Sequence, residues 1–136
     1  MNRNLMAIGI WVLRILAALI LLQTLFFKFT AAPESVYIFS VIGMEPWGRI
    51  GIGVLELIAS VLILIPSTTL YGSVMAVALM AGAVFFHLTK LGISVLNDGG
   101  QLFIYALVVL FSSAALIIIK RKDLGELIQS ALKKTL

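Results

Sequence analysis

Long apolar runs separated by short polar breaks dominate this chain. The first lasts from about Leu5 to Phe27 and is interrupted by one charge, Arg14. The second, about Trp47 to Ile65, ends at Pro66 and carries Glu56 in its middle. A third run covers about Leu70 to Thr89, and a fourth, about Gln101 to Ile119, is stopped by Lys120-Arg121-Lys122. A helix needs about 20 mainly apolar residues to cross a hydrocarbon core of about 30 Å. The pattern therefore predicts an all-α, four-helix transmembrane bundle of up-down topology over residues 1–120.

The segments between the runs refine this picture. Residues 29–47 read as a loop holding a short helix, because Pro33 suits a first helical turn and Glu34 its positive end. SVYIFSVIGM is apolar but too short to span, so it is expected as an outer loop helix. Pro66-Ser67-Thr68-Thr69 is short and uncharged, which makes the second and third spans a hairpin. Small residues at four-residue spacing, Gly72/Ala76 and Ala78/Gly82, let the third span approach its neighbours closely. After the basic stop, DLGELIQSALKKTL places Leu124, Leu127, Ile128, Ala131 and Leu132 on one face. Asp123 and Glu126 fit a capping pair at its start. Residues 121–136 are thus expected as a basic amphipathic helix on the membrane surface.

Composition agrees with a membrane protein. Of 136 residues 62% are hydrophobic and 12% charged, against about 25% charged in a soluble domain. The first run follows a basic start but has no small-residue cleavage site, and it is read as a retained span. The net charge of +4 sits mainly at the C-terminus, which speaks for orientation in a bilayer and not for nucleic acid. Arg3, Lys120, Arg121, Lys122, Lys133 and Lys134 fall on one side, and Lys28, Arg49 and Lys90 on the other. Six against three predicts both termini in the cytoplasm. The absence of cysteine excludes thiolate catalysis and Cys-ligated clusters within this chain, and a single histidine excludes bis-histidine haem ligation.

The charges inside the runs are the candidate chemistry. Arg14, Ala18, Leu21, Leu25 and Lys28 share one face of the first span. Counting helix rise from Leu5 and from Ile65 puts Arg14 and Glu56 at about the same depth, roughly 14 Å in. They are therefore expected to form a buried ion pair, whose bland reading is a clasp between the two spans. Nearer the outer surface Lys28, Glu56, His87, Asp98 and Gln101 make up a candidate outer-half site. Here Lys28 can alternatively snorkel to the interface, and Asp98-Gly99-Gly100 can be a plain turn. Ten of the thirteen aromatic residues lie in the outer half or its loops, a lining that suits a flat apolar ligand such as a quinone.

The order of these features resembles the DoxX-like family of small four-helix integral membrane proteins. Arg14 and Lys28 in the first span, Pro33 and the IGMEP turn, Gly51 and Glu56 in the second span, His87, and NDGGQLF opening the fourth carry the resemblance. It covers residues 10 to 120. One departure is Leu25, where family members often have a glycine three residues before the lysine. The resemblance implies a multi-pass protein of the bacterial cytoplasmic (inner) membrane. It also implies a link to redox complexes, since namesake relatives are subunits of a thiosulfate:quinone oxidoreductase.

Three functions follow as expectations. The first is an accessory, non-catalytic subunit of a redox-associated membrane complex, not an enzyme on its own, partnered by a membrane or redox protein or by a second copy. The second is a quinone- or lipid-binding oxidoreductase subunit in which Glu56 and His87 pass protons; the chain itself supplies no cofactor, so the quinone would be bound. The third is a small-solute or proton pathway, since intramembrane ionisable residues mark such routes.

Overall fold

The computed structural model describes residues 2–135, apart from the side chains of Asp123, Leu124 and Leu127. Five α-helices follow one another: α1 (Arg3–Phe29), α2 (Pro33–Val41), α3 (Trp47–Leu64), α4 (Thr69–Phe86) and α5 (Gln101–Thr135). A 3-10 turn at Pro66–Thr68 joins α3 to α4, and a π-helical turn at His87–Leu91 prolongs α4. No strand occurs among the described residues. Arg3–Phe29, Trp47–Leu64, Pro66–Leu91 and Gln101–Lys122 are each long and apolar enough to cross a membrane. The all-α, four-span architecture expected from the apolar runs is the one observed.

The spans close into a ring. α1 packs on α3 and α5, and α4 packs on the same two helices. The predicted face of α1 is the buried one, with Arg14, Ala18, Leu21 and Leu25 turned inward together with Ala17. Alanines dominate the meeting line of the helices: Ala17, Ala18, Ala59, Ala76 and Ala106 are all buried. Small side chains let backbones approach, which matters where lipid gives helices no hydrophobic reason to associate. Gly72 shows how close the approach is, since a Cβ there would stand 2.6 Å from the backbone N of Ile63 and 2.7 Å from the carbonyl of Ala59. The outward faces keep large apolar residues such as Leu19, Val61, Val74 and Phe111 exposed, as a lipid-facing surface requires. α2 is the predicted loop helix and rests on α1, α3 and the π turn, at the end of the bundle away from the chain termini; that end is termed outer and the termini's end inner, with no orientation in the membrane implied.

The inner end of α3 is closed by side chains. The last carbonyls of a helix have no intrahelical donor, and in hydrocarbon no water replaces one. Here the Leu62 carbonyl accepts from Thr68 Oγ1 at 2.8 Å. The Ile63 carbonyl accepts from Arg14 Nε at 2.8 Å and from Thr69 Oγ1 at 2.9 Å. The Leu64 carbonyl accepts from Arg14 Nη2. The Ile65 carbonyl accepts from the Thr68 N–H and from Thr69 Oγ1, each at 3.0 Å. The Arg14 guanidinium also lies 3.7 Å from the centre of the Trp11 ring, a cation–π contact. A reciprocal contact holds the outer end of the same helix pair, where Arg49 of α3 donates through Nη1 to the Lys28 carbonyl of α1. Arg49 Nε meanwhile faces the Glu45 carboxylate at 2.9 and 3.0 Å.

This corrects the depth assigned to Arg14. It meets α3 at Ile63 and Leu64, seven and eight residues beyond Glu56, which is about 11 Å deeper along the helix. The estimate assumed flush inner ends, but α1 has 27 residues and α3 only 18, so α1 overhangs the α3–α4 hairpin. The C-terminal segment is helical, as its pattern predicts, and it continues α5 instead of starting a new helix. Lys120-Arg121-Lys122 end the apolar span without ending the helix, because Lys and Arg are good helix formers. The predicted cap at Asp123 and the apolar positions Leu124 and Leu127 lie outside the described side chains; Ile128 and Leu132 are exposed.

The carbonyl clamp makes Arg14 a stability residue. Arg14→Met is expected to destabilise the bundle by roughly 3–6 kcal/mol, two charge-assisted hydrogen bonds at about 1.5–3 kcal/mol each. Thermal unfolding in detergent reads the loss. Arg14→Lys should recover less than half of it, because an ammonium lacks the fixed fork that serves two successive carbonyls.

Candidate functional site

The inner half of the bundle is solid and the outer half is hollow. A cavity of about 240 Å³ lies among α1, α2, α3, α4 and α5. Leu21, Met80, Ala106 and Val109 belong both to the apolar core and to the cavity wall, and so form its floor. An apolar hole of about 150 Å³ takes up benzene, whereas whole drug-sized ligands occupy about 300–1,000 Å³. The hollow thus has room for one substituted ring or a compact headgroup.

Six polar side chains border it: Thr24, Lys28, Ser35, Glu56, His87 and Tyr105. Lys28 comes from the last turn of α1, and its Nζ lies 3.1 Å from Glu56 Oε1. The two side chains are 14% and 2% exposed, so this is a buried ion pair. Thr24, one turn before Lys28, directs its single hydroxyl proton between the Leu21 carbonyl at 3.0 Å and Glu56 Oε2 at 3.4 Å. The ion pair expected between Arg14 and Glu56 is therefore not formed. Arg14 is engaged by the carbonyls at the end of α3, and the long lysine stem brings the other cation of the same helix face to Glu56.

His87 opens the π-helical turn and is 5% exposed. Such turns widen the helix locally and are frequent at functional sites. His87 Nδ1 is 2.9 Å from the Gly92 carbonyl, which can only accept, so Nδ1 carries a proton and Nε2 of the neutral ring is an acceptor. The imidazole also meets Phe103 edge-on, with ring centres 5.5 Å apart.

Asp98 and Gln101 stand apart from the cavity wall. The Asp98 carboxylate accepts from the backbone N–H groups of Val95 at 3.0 Å, Gly100 at 2.8 Å and Leu102 at 3.2 Å. It thereby closes the loop and caps the start of α5. Partial burial alone would raise its pKa, but these three donors together outweigh burial and hold it below the ordinary aspartate value. Gln101 is exposed and donates through Nε2 to the Tyr105 hydroxyl at 2.8 Å, leaving the tyrosine proton to donate elsewhere. Of the ten outer aromatics, Phe27, Phe39, Phe86 and Tyr105 reach the cavity, whereas Phe26, Tyr37, Trp47 and Phe85 are exposed.

Sequence reasoning missed Thr24 and Ser35, and counted Tyr105 only as one of the outer aromatics. Thr24 was within reach of it, since it lies four residues before Lys28 and so on nearly the same face. Ser35 carries no such signal, because only the docking of α2 brings it to the hollow.

Two measurements check this geometry. Breaking the buried pair with Lys28→Met or Glu56→Leu should each cost about 3–5 kcal/mol, whereas the double variant should cost clearly less than the sum. Additive losses in a double-mutant cycle would show that the pair is not coupled. For Asp98 the folded pKa is depressed, so its stabilisation is complete above the unfolded value of about 3.9 and is lost as pH falls through the folded value. Wild-type melting temperature should therefore drop below about pH 4 more steeply than that of Asp98→Asn.

The chain was compared with known proteins on this basis. The DoxX-like family profile matches residues 12–116. No curated protein and no solved structure matches the chain. The matched stretch contains the Lys28–Glu56 pair, His87, Asp98 and all of the cavity wall, and it covers well over half of the sequence: the protein belongs to the DoxX-like family of multi-pass membrane proteins.

Proposed function

We propose that the protein is an accessory subunit of a redox-associated membrane complex and that it holds the ring of a quinone-class ligand in its outer-half cavity. The observation that carries this reading is the hollow itself, apolar over most of its wall and crossed by Lys28, Glu56 and His87. Specific ligand sites combine an apolar lining with a few convergent polar groups in this way. Lys28 has ammonium protons beyond the one directed at Glu56 and can donate to a ring carbonyl, while His87 Nε2 can accept from a ring hydroxyl. Glu56 and His87 are then the groups that exchange protons with the bound ring. Electrons must come from a partner or from the ligand, since the chain has no cysteine and one histidine.

The subunit part of the reading rests on α5, whose exposed helical tail runs to Thr135 with Lys133 and Lys134 near its end, a surface on which a partner can dock. The proposal places the protein in a bacterial cytoplasmic membrane with both termini inside, a reading supported by the excess of positive charge on the terminal side.

The test is equilibrium binding of a short-chain benzoquinone to the purified protein, combined with mass spectrometry of whatever co-purifies. Glu56→Gln and His87→Ala should each weaken binding by tenfold or more. Binding that persists unchanged in both variants, or a protein carrying only bulk phospholipid and no affinity for the ring, sinks the ligand reading.

A further inference from the structure

We infer that the cavity opens sideways into the bilayer between the outer halves of α3 and α4, and that its ligand is a membrane-dissolved amphiphile whose chain leaves through this portal. The inference rests on the cavity reading above and adds the route and the ligand's shape.

The α3–α4 hairpin is not evenly packed. Near its turn, a Cβ on Gly72 would meet the α3 backbone at 2.6–2.7 Å. Ten residues further along α4 comes Gly82, which the antiparallel register places opposite Ile52. There a Cβ would meet nothing within 4 Å. Both Gly82 and Ile52 line the cavity. So does Ala78, one turn below Gly82, which is an exposed residue and shares the stripe of α4 that holds exposed Val74 and Phe85. A residue that borders the hollow and also the lipid-facing surface marks an opening between the two. The helices touch at Gly72 and part at Gly82, and the gap between them is edged by residues too small to fill it.

Two independent observations assign this gap to a ligand. The hollow, about 240 Å³, holds a ring but not a ring with a long chain, so the chain of an amphiphile needs an exit. Ser35, which α2 brings to the wall, is over nine-tenths buried as a residue, yet its hydroxyl borders the hollow and has no hydrogen-bond partner among the described residues. A hydroxyl that borders a hollow without a protein partner is open to a ligand oxygen there. The headgroup therefore sits between Ser35 and the Lys28–Glu56 pair, and the aliphatic chain passes over Ala78 and Gly82 into the hydrocarbon.

Gly82→Leu narrows the portal, since a Cβ at Gly82 meets nothing within 4 Å and the larger side chain starts from open space; Gly82→Ala narrows it in part. The probes are a dimethoxybenzoquinone carrying a decyl chain and the same ring without a chain, offered to wild-type protein and to both variants in nanodiscs. Because Gly82 also lines the hollow, the readout is the ratio of the two probes: Gly82→Leu should weaken the chain-bearing probe at least tenfold more than the bare ring, with Gly82→Ala between. Equal effects on both probes, or none on either, overturn the portal while leaving the cavity reading in place. If neither probe binds wild type, the quinone reading fails, and the portal is decided by a phospholipid with a photoactivatable diazirine on its acyl chain. Adducts on Met44 or Phe86 that vanish in Gly82→Leu support it; adducts confined to the lipid-facing surface overturn it.

Discussion

In hydrocarbon a bare carbonyl or charge has no water to fall back on, and this chain is arranged around that constraint. The inner end of α3 leaves four carbonyls beside the overhanging α1, because α3 is the shorter helix. Thr68, Thr69 and Arg14 supply a donor to each of them. Arg49 does the corresponding work at the outer end of α1. The two arginines thus fasten α1 and α3 at opposite ends by donating to backbone, which leaves neither of them for Glu56. Among the described residues, Ser113 Oγ is the buried side-chain atom left without a partner.

With both arginines engaged, the Glu56 carboxylate has to be met by another cation. Lys28 reaches it from above with a flexible stem, and the result differs chemically from an arginine pair. A guanidinium locks a carboxylate in a two-point fork, whereas an ammonium is a point donor with protons to spare. A lysine–glutamate pair at the wall of a cavity can hold a ligand oxygen while keeping its own contact. The division of labour between Arg14 and Lys28 is therefore what frees the outer half of the bundle for binding.

The uneven packing has the same logic. Alanines and Gly72 draw the helices together over the inner half, where the core is solid. Beyond the middle, α2 covers the bundle with Ser35 and Phe39 turned inward, and the helices enclose a hollow. The small residues of α4 act oppositely at its two ends. Gly72 gives closeness because α3 is there to meet it, and Gly82 gives space because α3 is not.

Hydrophobic length and the placement of charge along the chain determined the four spans, the hairpin, the outer loop helix and the buried face of α1. Each of these depends on local periodicity and on transfer from water, quantities that a sequence carries directly. The order of Arg14, Lys28, Glu56, His87 and the loop before α5 likewise sufficed to suggest the DoxX-like family. Which cation meets Glu56 was decided only in three dimensions, because it depends on the relative heights of two helices of unequal length and on competition from the carbonyls at the end of α3. The role of Asp98 was decided in the same way, by three backbone N–H groups that a loop conformation brings together. The cavity could not be read from sequence at all, since an empty volume belongs to no residue and arises from how far apart neighbouring helices settle.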